Sequence, residues 1–70
     1  MITLKETKEV LKQAGYKRSP FDIHEIKMGL NVELEHSDIT NGDLQLTLLI
    51  ALAHLRENPH YYTILKQVGL

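Results

Sequence analysis

Seventy residues with a net charge of −1 admit one domain at most and disfavour a uniformly basic nucleic-acid binder, so nucleic acid is not the expected partner. A chain this short buries only about 60% of its unfolded surface, so disulfides, metals or oligomerisation usually supplement the core. With no cysteine, there remain well-packed helices, self-association or a bound ion.

Thr3-Leu4-Lys5-Glu6 reads as a capping box opening an apolar-periodic run, and Gly15 is a natural stop. The first helix is predicted over about 4–14. A basic connector from Tyr16 to Phe21 follows, closed by Ser19-Pro20. Asp22 and Glu25 form a second box, with Ile23, Ile26, Leu30 and Leu34 at helical spacing. This second helix covers about 23–36. Gly29 inside it costs about 1 kcal/mol against alanine, which points to close approach of another helix.

Ser37 to Gly42 reads as a polar loop with an Asn41-Gly42 turn, and Asp43 caps a third helix over about 44–57. Its leucines, with Ile50, cover every side except near Gln45 and Thr47. A helix apolar all round is buried all round, and so short a chain can scarcely cover it. A homo-oligomer or a protein partner is therefore expected. Asn58-Pro59 is expected to end this helix and start a fourth, about 59–68, with Pro59 in its first turn. Tyr61 is placed inside with its hydroxyl on a buried acid or histidine, and Tyr62 outside as an interaction residue. The whole is predicted to be all-α: a small bundle of about four short helices in a single domain, 1–70. The run Val32 to Glu35 alternates apolar and polar but is assigned to helix on the periodicity before it.

Met1 to Glu6 reaches charge too soon for a signal peptide, and the longest apolar run, Leu48 to Ala53, is far short of a membrane span. A cytoplasmic location without membrane association is the expectation. Charge is uneven: residues 1–20 carry five cations against Glu6 and Glu9, whereas residues 21–57 carry seven acids against Lys27 and Arg56. Lys5, Lys8 and Lys12 line one helix face, extended by Lys17 and Arg18, and form a candidate surface for an acidic partner or phosphates. No phosphate-cradling glycine loop, nucleophile elbow or HExxH is present.

The remaining chemistry sits in two acid/histidine pairs three residues apart, Glu33 with His36 and His54 with Glu57. On helices such pairs share a face and form half of a carboxylate-bridged metal site, which would hold a divalent ion. A level antiparallel hairpin separates the halves: His54 would lie about 16 Å along the axis from His36, too far for one ion. That geometry sets His24 and Glu25 beside His54 and Glu57, and leaves Glu33 and His36 to a partner subunit. Each residue also has a structural reading, His36 above all as a cation on terminal carbonyls.

Met28 to His36, followed by Ile50 to Thr63, resembles a family of small proteins of unknown function from bacteria, archaea and phages. The resemblance covers about residues 21–65. It implies that Gly29, Glu33, Glu35, His36, His54, Glu57, Pro59, Tyr61 and Tyr62 are signature positions, and it implies no activity. This chain departs from the pattern in its loop, where Ser37 to Asp43 lacks an Asp-Pro helix start, and His24 lies outside the pattern. Together these features lead to a non-enzymatic interaction or regulatory module. The alternatives are a metal-binding protein or metal-assisted enzyme using Glu33, His36, His54 and Glu57, and a small nucleic-acid-associated regulator.

Overall fold

A computed structural model describes residues 1–36 and 41–69, so the Ser37–Thr40 part of the expected loop lies outside the described residues. Among the described residues the chain forms four helices and no strand: α1 (Leu4–Gln13), α2 (Ile23–Glu35), α3 (Leu44–Glu57) and α4 (Tyr61–Gln67). This is the small all-α bundle that the periodicity predicts, and the alternating run at Val32 lies within α2.

Local chemistry sets most helix ends. The Thr3 hydroxyl accepts the Glu6 N–H at 3.1 Å, and the Glu6 carboxylate accepts the Thr3 N–H at 3.0 Å. That N–H, foremost, holds the Glu6 carboxyl below its ordinary range. At the other end of α1, the Tyr16 N–H reaches the Leu11 carbonyl at 3.1 Å and the Gly15 N–H reaches Lys12 at 3.0 Å. This is the Schellman arrangement, and it needs Gly15 at a φ of 92°. Asp43 caps α3 by accepting the Gln45 and Leu46 N–H groups at 2.9 and 3.1 Å.

Two boundaries differ from expectation. Asp22 does cap α2, accepting the His24 N–H at 2.9 Å, but Glu25 does not complete the box. Helix α4 starts at Tyr61 rather than Pro59. The Asn58 side chain accepts the His60 N–H, and its carbonyl the Tyr61 N–H, both at 2.9 Å. These bonds make Asn58-Pro59-His60 a turn of its own, with Pro59 ahead of the helix.

The core joins Val10 and Leu11 of α1, Ile26 and Leu30 of α2, Leu48, Ala51, Leu52 and Leu55 of α3, and Tyr62 of α4. Asn31 stitches the N-terminal segment to α2. Its side chain accepts the Ile2 N–H at 2.7 Å and donates to the Ile2 carbonyl at 3.1 Å. This clamp was not foreseen, because a lone asparagine inside a helix has no distinctive spacing.

Helix α3 buries Leu48, Ala51, Leu52 and Leu55 yet takes its polar residues inward too and leaves part of its apolar surface outside. Its polar side faces inward: Thr47 is fully buried with its hydroxyl on the Asp43 carbonyl, and Gln45 donates to the Val10 carbonyl of α1 at 3.1 Å. Its outward side carries Leu46, Leu49 and Ala53 in solvent, with Ile50 half-buried beside them. As expected of so short a chain, α3 is not covered on every side, since Leu49 is 59% exposed.

Candidate functional site

Glu25, Gly29 and Glu33 recur every fourth residue, so they form one stripe spanning about 12 Å along α2. All three meet Tyr62. The Glu25 carboxylate accepts the Tyr62 N–H at 3.2 Å, the Thr63 N–H at 3.4 Å and the Thr63 hydroxyl. The Tyr62 ring lies over Gly29, where an added Cβ would stand 2.5 Å from the nearest ring carbon. The Tyr62 hydroxyl donates to Glu33 Oε2 at 2.9 Å. The stripe is thus a seat for one tyrosine. Glu25 also supplies the acceptor at the α4 N-terminus that His60 does not, because His60 makes no side-chain cap.

From α3, His54 completes the group. Its Nε2 lies 3.7 Å from Glu33 Oε2, the oxygen that also accepts Tyr62. Its ring stacks on Tyr61 with centroids 4.4 Å apart and planes within 8°, while Tyr61 meets Tyr62 edge-on at 5.0 Å. An imidazole, a carboxylate and two phenols therefore join the end of α3, the start of α4 and the last turns of α2. When His54 is protonated, it and Glu33 form an ion pair. The His54 side chain remains 35% exposed and that of Glu33 17%.

Several expectations change. The two tyrosines exchange places: Tyr62, expected outside as an interaction residue, is 1% exposed, and Tyr61 is half-buried against His54. Glu33 and His54 meet within one chain, so the level-hairpin arithmetic that separated them fails. It assumed that the end of α2 stands level with the start of α3. Contact between Glu33 and His54 shows that α3 is not registered on α2 in that way. His36 and Glu57 do not join them. His36 ends α2, with Nδ1 3.0 Å from the Val32 carbonyl, which is the helix-end role its position suggests. Glu57 is the exposed last residue of α3, and Glu35 is also exposed. The set His24, Glu25, His54 and Glu57 does not assemble: His24 is exposed, whereas Glu25 is buried on α4. Among the described residues no three His, Asp or Glu side chains converge as a metal ligand set.

Glu25 and Thr63 were missed as partners because Glu25 looked fully used as a cap for its own helix. The signal that finds them is the Glu-x3-Gly-x3-Glu spacing, two acids flanking a glycine on a helix face.

Burial, first, and then the hydrogen bond to Glu33 push the Tyr62 phenol well above its ordinary range. A group whose folded value is raised keeps its full contribution below the unfolded value, about 10 for tyrosine, and loses it as pH rises beyond that. Thermal melts should therefore fall off above about pH 10 more steeply for the wild type than for Tyr62→Phe. Equal slopes in the two proteins would remove Tyr62 as the cause.

A family model described as "Protein of unknown function (DUF5661)" matches residues 7–69. No curated protein and no solved structure matches the chain.

Proposed function

We propose that this chain, which belongs to the DUF5661 family of proteins of unknown function, is a non-enzymatic interaction module that pairs with a second copy of itself through α3. One observation carries the reading. Leu46, Leu49, Ile50 and Ala53 follow the i, i+3, i+4, i+7 pattern of a helix meant to be covered, yet this side faces outward. Leu49 and Leu46 are 59% and 38% exposed, while Gln45 and Thr47 take the inner side. An exposed apolar stripe on a helix that already buries Leu48, Leu52 and Leu55 makes sense once a partner covers it.

The ends of this stripe favour a twofold pairing. Asp43 precedes α3 and Arg56 lies in its last turn. With α3 antiparallel to its copy and the axis between Leu49 and Ile50, Leu46 meets Ala53 of the second copy. Asp43 then lies level with Arg56 of the second copy at both ends. A parallel pairing would set like charges side by side. Closed twofold dimers are the commonest soluble oligomers, and the small Ala53 permits close approach.

The remaining parts of this reading are a cytoplasmic setting and a bacterial or phage origin. The lack of cysteine supports the first, and among the described residues no helix is long and apolar enough to cross a membrane. Sedimentation at micromolar to millimolar concentration should give a dimer, and Leu49→Glu should give a monomer of unchanged helical content. A wild-type protein that stays monomeric throughout would overturn the proposal.

A further inference from the structure

The basic segment leads to a different place. Lys8 and Lys12 of α1 and Lys17 and Arg18 of the connector line one concavity of about 460 Å³. Its apolar wall is Leu11, Ile23 and the half-buried ring of Tyr16, and no acidic side chain lines it. The Schellman turn builds it: the Tyr16 N–H bond to Leu11 and the positive φ of Gly15 fold the connector back over the end of α1. Two lysines one turn apart on a helix thereby face two cations from beyond its end.

Lys12 has an ordinary reason to be there, since a cation near a helix C-terminus is favourable. Lys17 and Arg18 belong to no helix. Among the described residues the one ion pair is that of His54 with Glu33, so no carboxylate engages any of the four cations. Four exposed cations around a tyrosine and an apolar wall give the concavity a positive potential that favours an anion shared among them. The concavity is far larger than a phosphate ion needs and lies within the range of small-molecule sites, about 300–1,000 Å³.

We propose that this concavity binds a nucleoside phosphate, with the phosphates among Lys8, Lys12, Lys17 and Arg18 and the base against Tyr16. The ring offers a face for stacking, and lysines and arginine are the usual partners of phosphate oxygens. The same chemistry can come from a free nucleotide or from a single-stranded nucleic acid. Neither source involves the outer side of α3, so this site and the dimer stand or fall separately.

Backbone amide NMR of the full chain tests it, with ADP, adenosine and inorganic phosphate as separate probes. ADP should shift the Leu11, Gly15, Tyr16 and Ser19 amides saturably, and binding should weaken as salt rises. Adenosine and phosphate alone should each bind at least about tenfold more weakly, having lost one half of the site. The double variant Lys12→Glu/Arg18→Glu, at two exposed positions, should keep the spectrum of the remaining chain and lose the ADP response. A mixed-sequence single-stranded oligonucleotide identifies the source: tighter binding than ADP assigns the site to a strand, and weaker binding assigns it to a free nucleotide. No saturable shift with millimolar ADP would overturn the proposal, and so would an equal response from the charge-reversed variant.

Discussion

Gly29→Ala should destabilise the protein by about 2 kcal/mol, although alanine is the better helix former by about 1 kcal/mol. The new Cβ would stand 2.5, 2.9 and 3.0 Å from three carbons of the Tyr62 ring. The tip of an exposed side chain would simply move aside. This ring cannot, because it is 1% exposed, its hydroxyl is held by Glu33 and its backbone N–H by Glu25. Relief must come from shifting α4 away from α2, and overpacking of this kind costs about 1–3 kcal/mol or more. In a domain whose whole stability is on the order of 5 kcal/mol, such a loss is readily measured by urea denaturation. The double variant Gly29→Ala/Tyr62→Leu isolates the cause. With the ring removed, the alanine should cost little or stabilise, giving a coupling energy of at least about 1 kcal/mol. If alanine costs the same in both backgrounds, the ring is not what the glycine accommodates.

That glycine shows how far the residues alone carry the structure. A glycine inside a capped, periodic helix is a local anomaly, and it does mark a close approach. What approaches is a tertiary fact, and the residues near it do not reveal it. Helical spacing says that Glu25, Gly29 and Glu33 share a face; it does not say that α4 covers that face. The same limit explains the exchange of the tyrosines. Both rings fit a helix with one buried side, and the choice is made by the α2 face that receives the ring. Asn58 accepts the His60 and Tyr61 N–H groups in the turn ahead of α4, and Glu25, Gly29 and Glu33 of α2 then seat the Tyr62 ring.

Helix α3 makes the complementary point. Its excess of leucine was legible, and so was the conclusion that one short chain cannot cover it. Which side remains open was not, because composition favours burying the leucines and exposing Gln45 and Thr47. The structure buries Leu48, Leu52 and Leu55 but takes Thr47 and Gln45 inward as well, through two local bonds. The Thr47 hydroxyl is satisfied by the Asp43 carbonyl one turn back, so burying it leaves no polar group unpaired. Gln45 reaches the Val10 carbonyl on α1. With both polar groups paired, the inner side loses little, and Leu46 and Leu49 are turned outward.

The last and largest expected effect arises beside the acid/histidine pairs. They read as a split metal motif; of their members, Glu33 and His54 meet the tyrosines of α4, whereas His36 and Glu57 do not. The residue that holds α4 most firmly lies outside those pairs: it is Glu25, in the first turn of α2. It is 4% exposed and accepts two backbone N–H groups and a hydroxyl from Tyr62 and Thr63. A carboxylate at a helix N-terminus satisfies orphan donors and the helix dipole together. Hydrogen bonds to charged groups contribute about 1.5–3 kcal/mol each, and buried donors left without partners add their own penalty. Glu25→Ala should therefore cost about 3 kcal/mol or more and release α4 before the remaining helices unfold. Glu25→Gln keeps an acceptor oxygen without the charge and should cost about half as much. Glu35→Ala, an acid on the same helix but exposed, should change stability by less than about 0.5 kcal/mol. Hydrogen exchange gives the sharper reading: in Glu25→Ala the Tyr62 and Thr63 amides should lose protection by a larger factor than Ile26 or Leu52 of the core. Uniform loss across all helices would mean that α4 is not a separable unit, and full retention at Tyr62 and Thr63 would mean that Glu25 does not hold it.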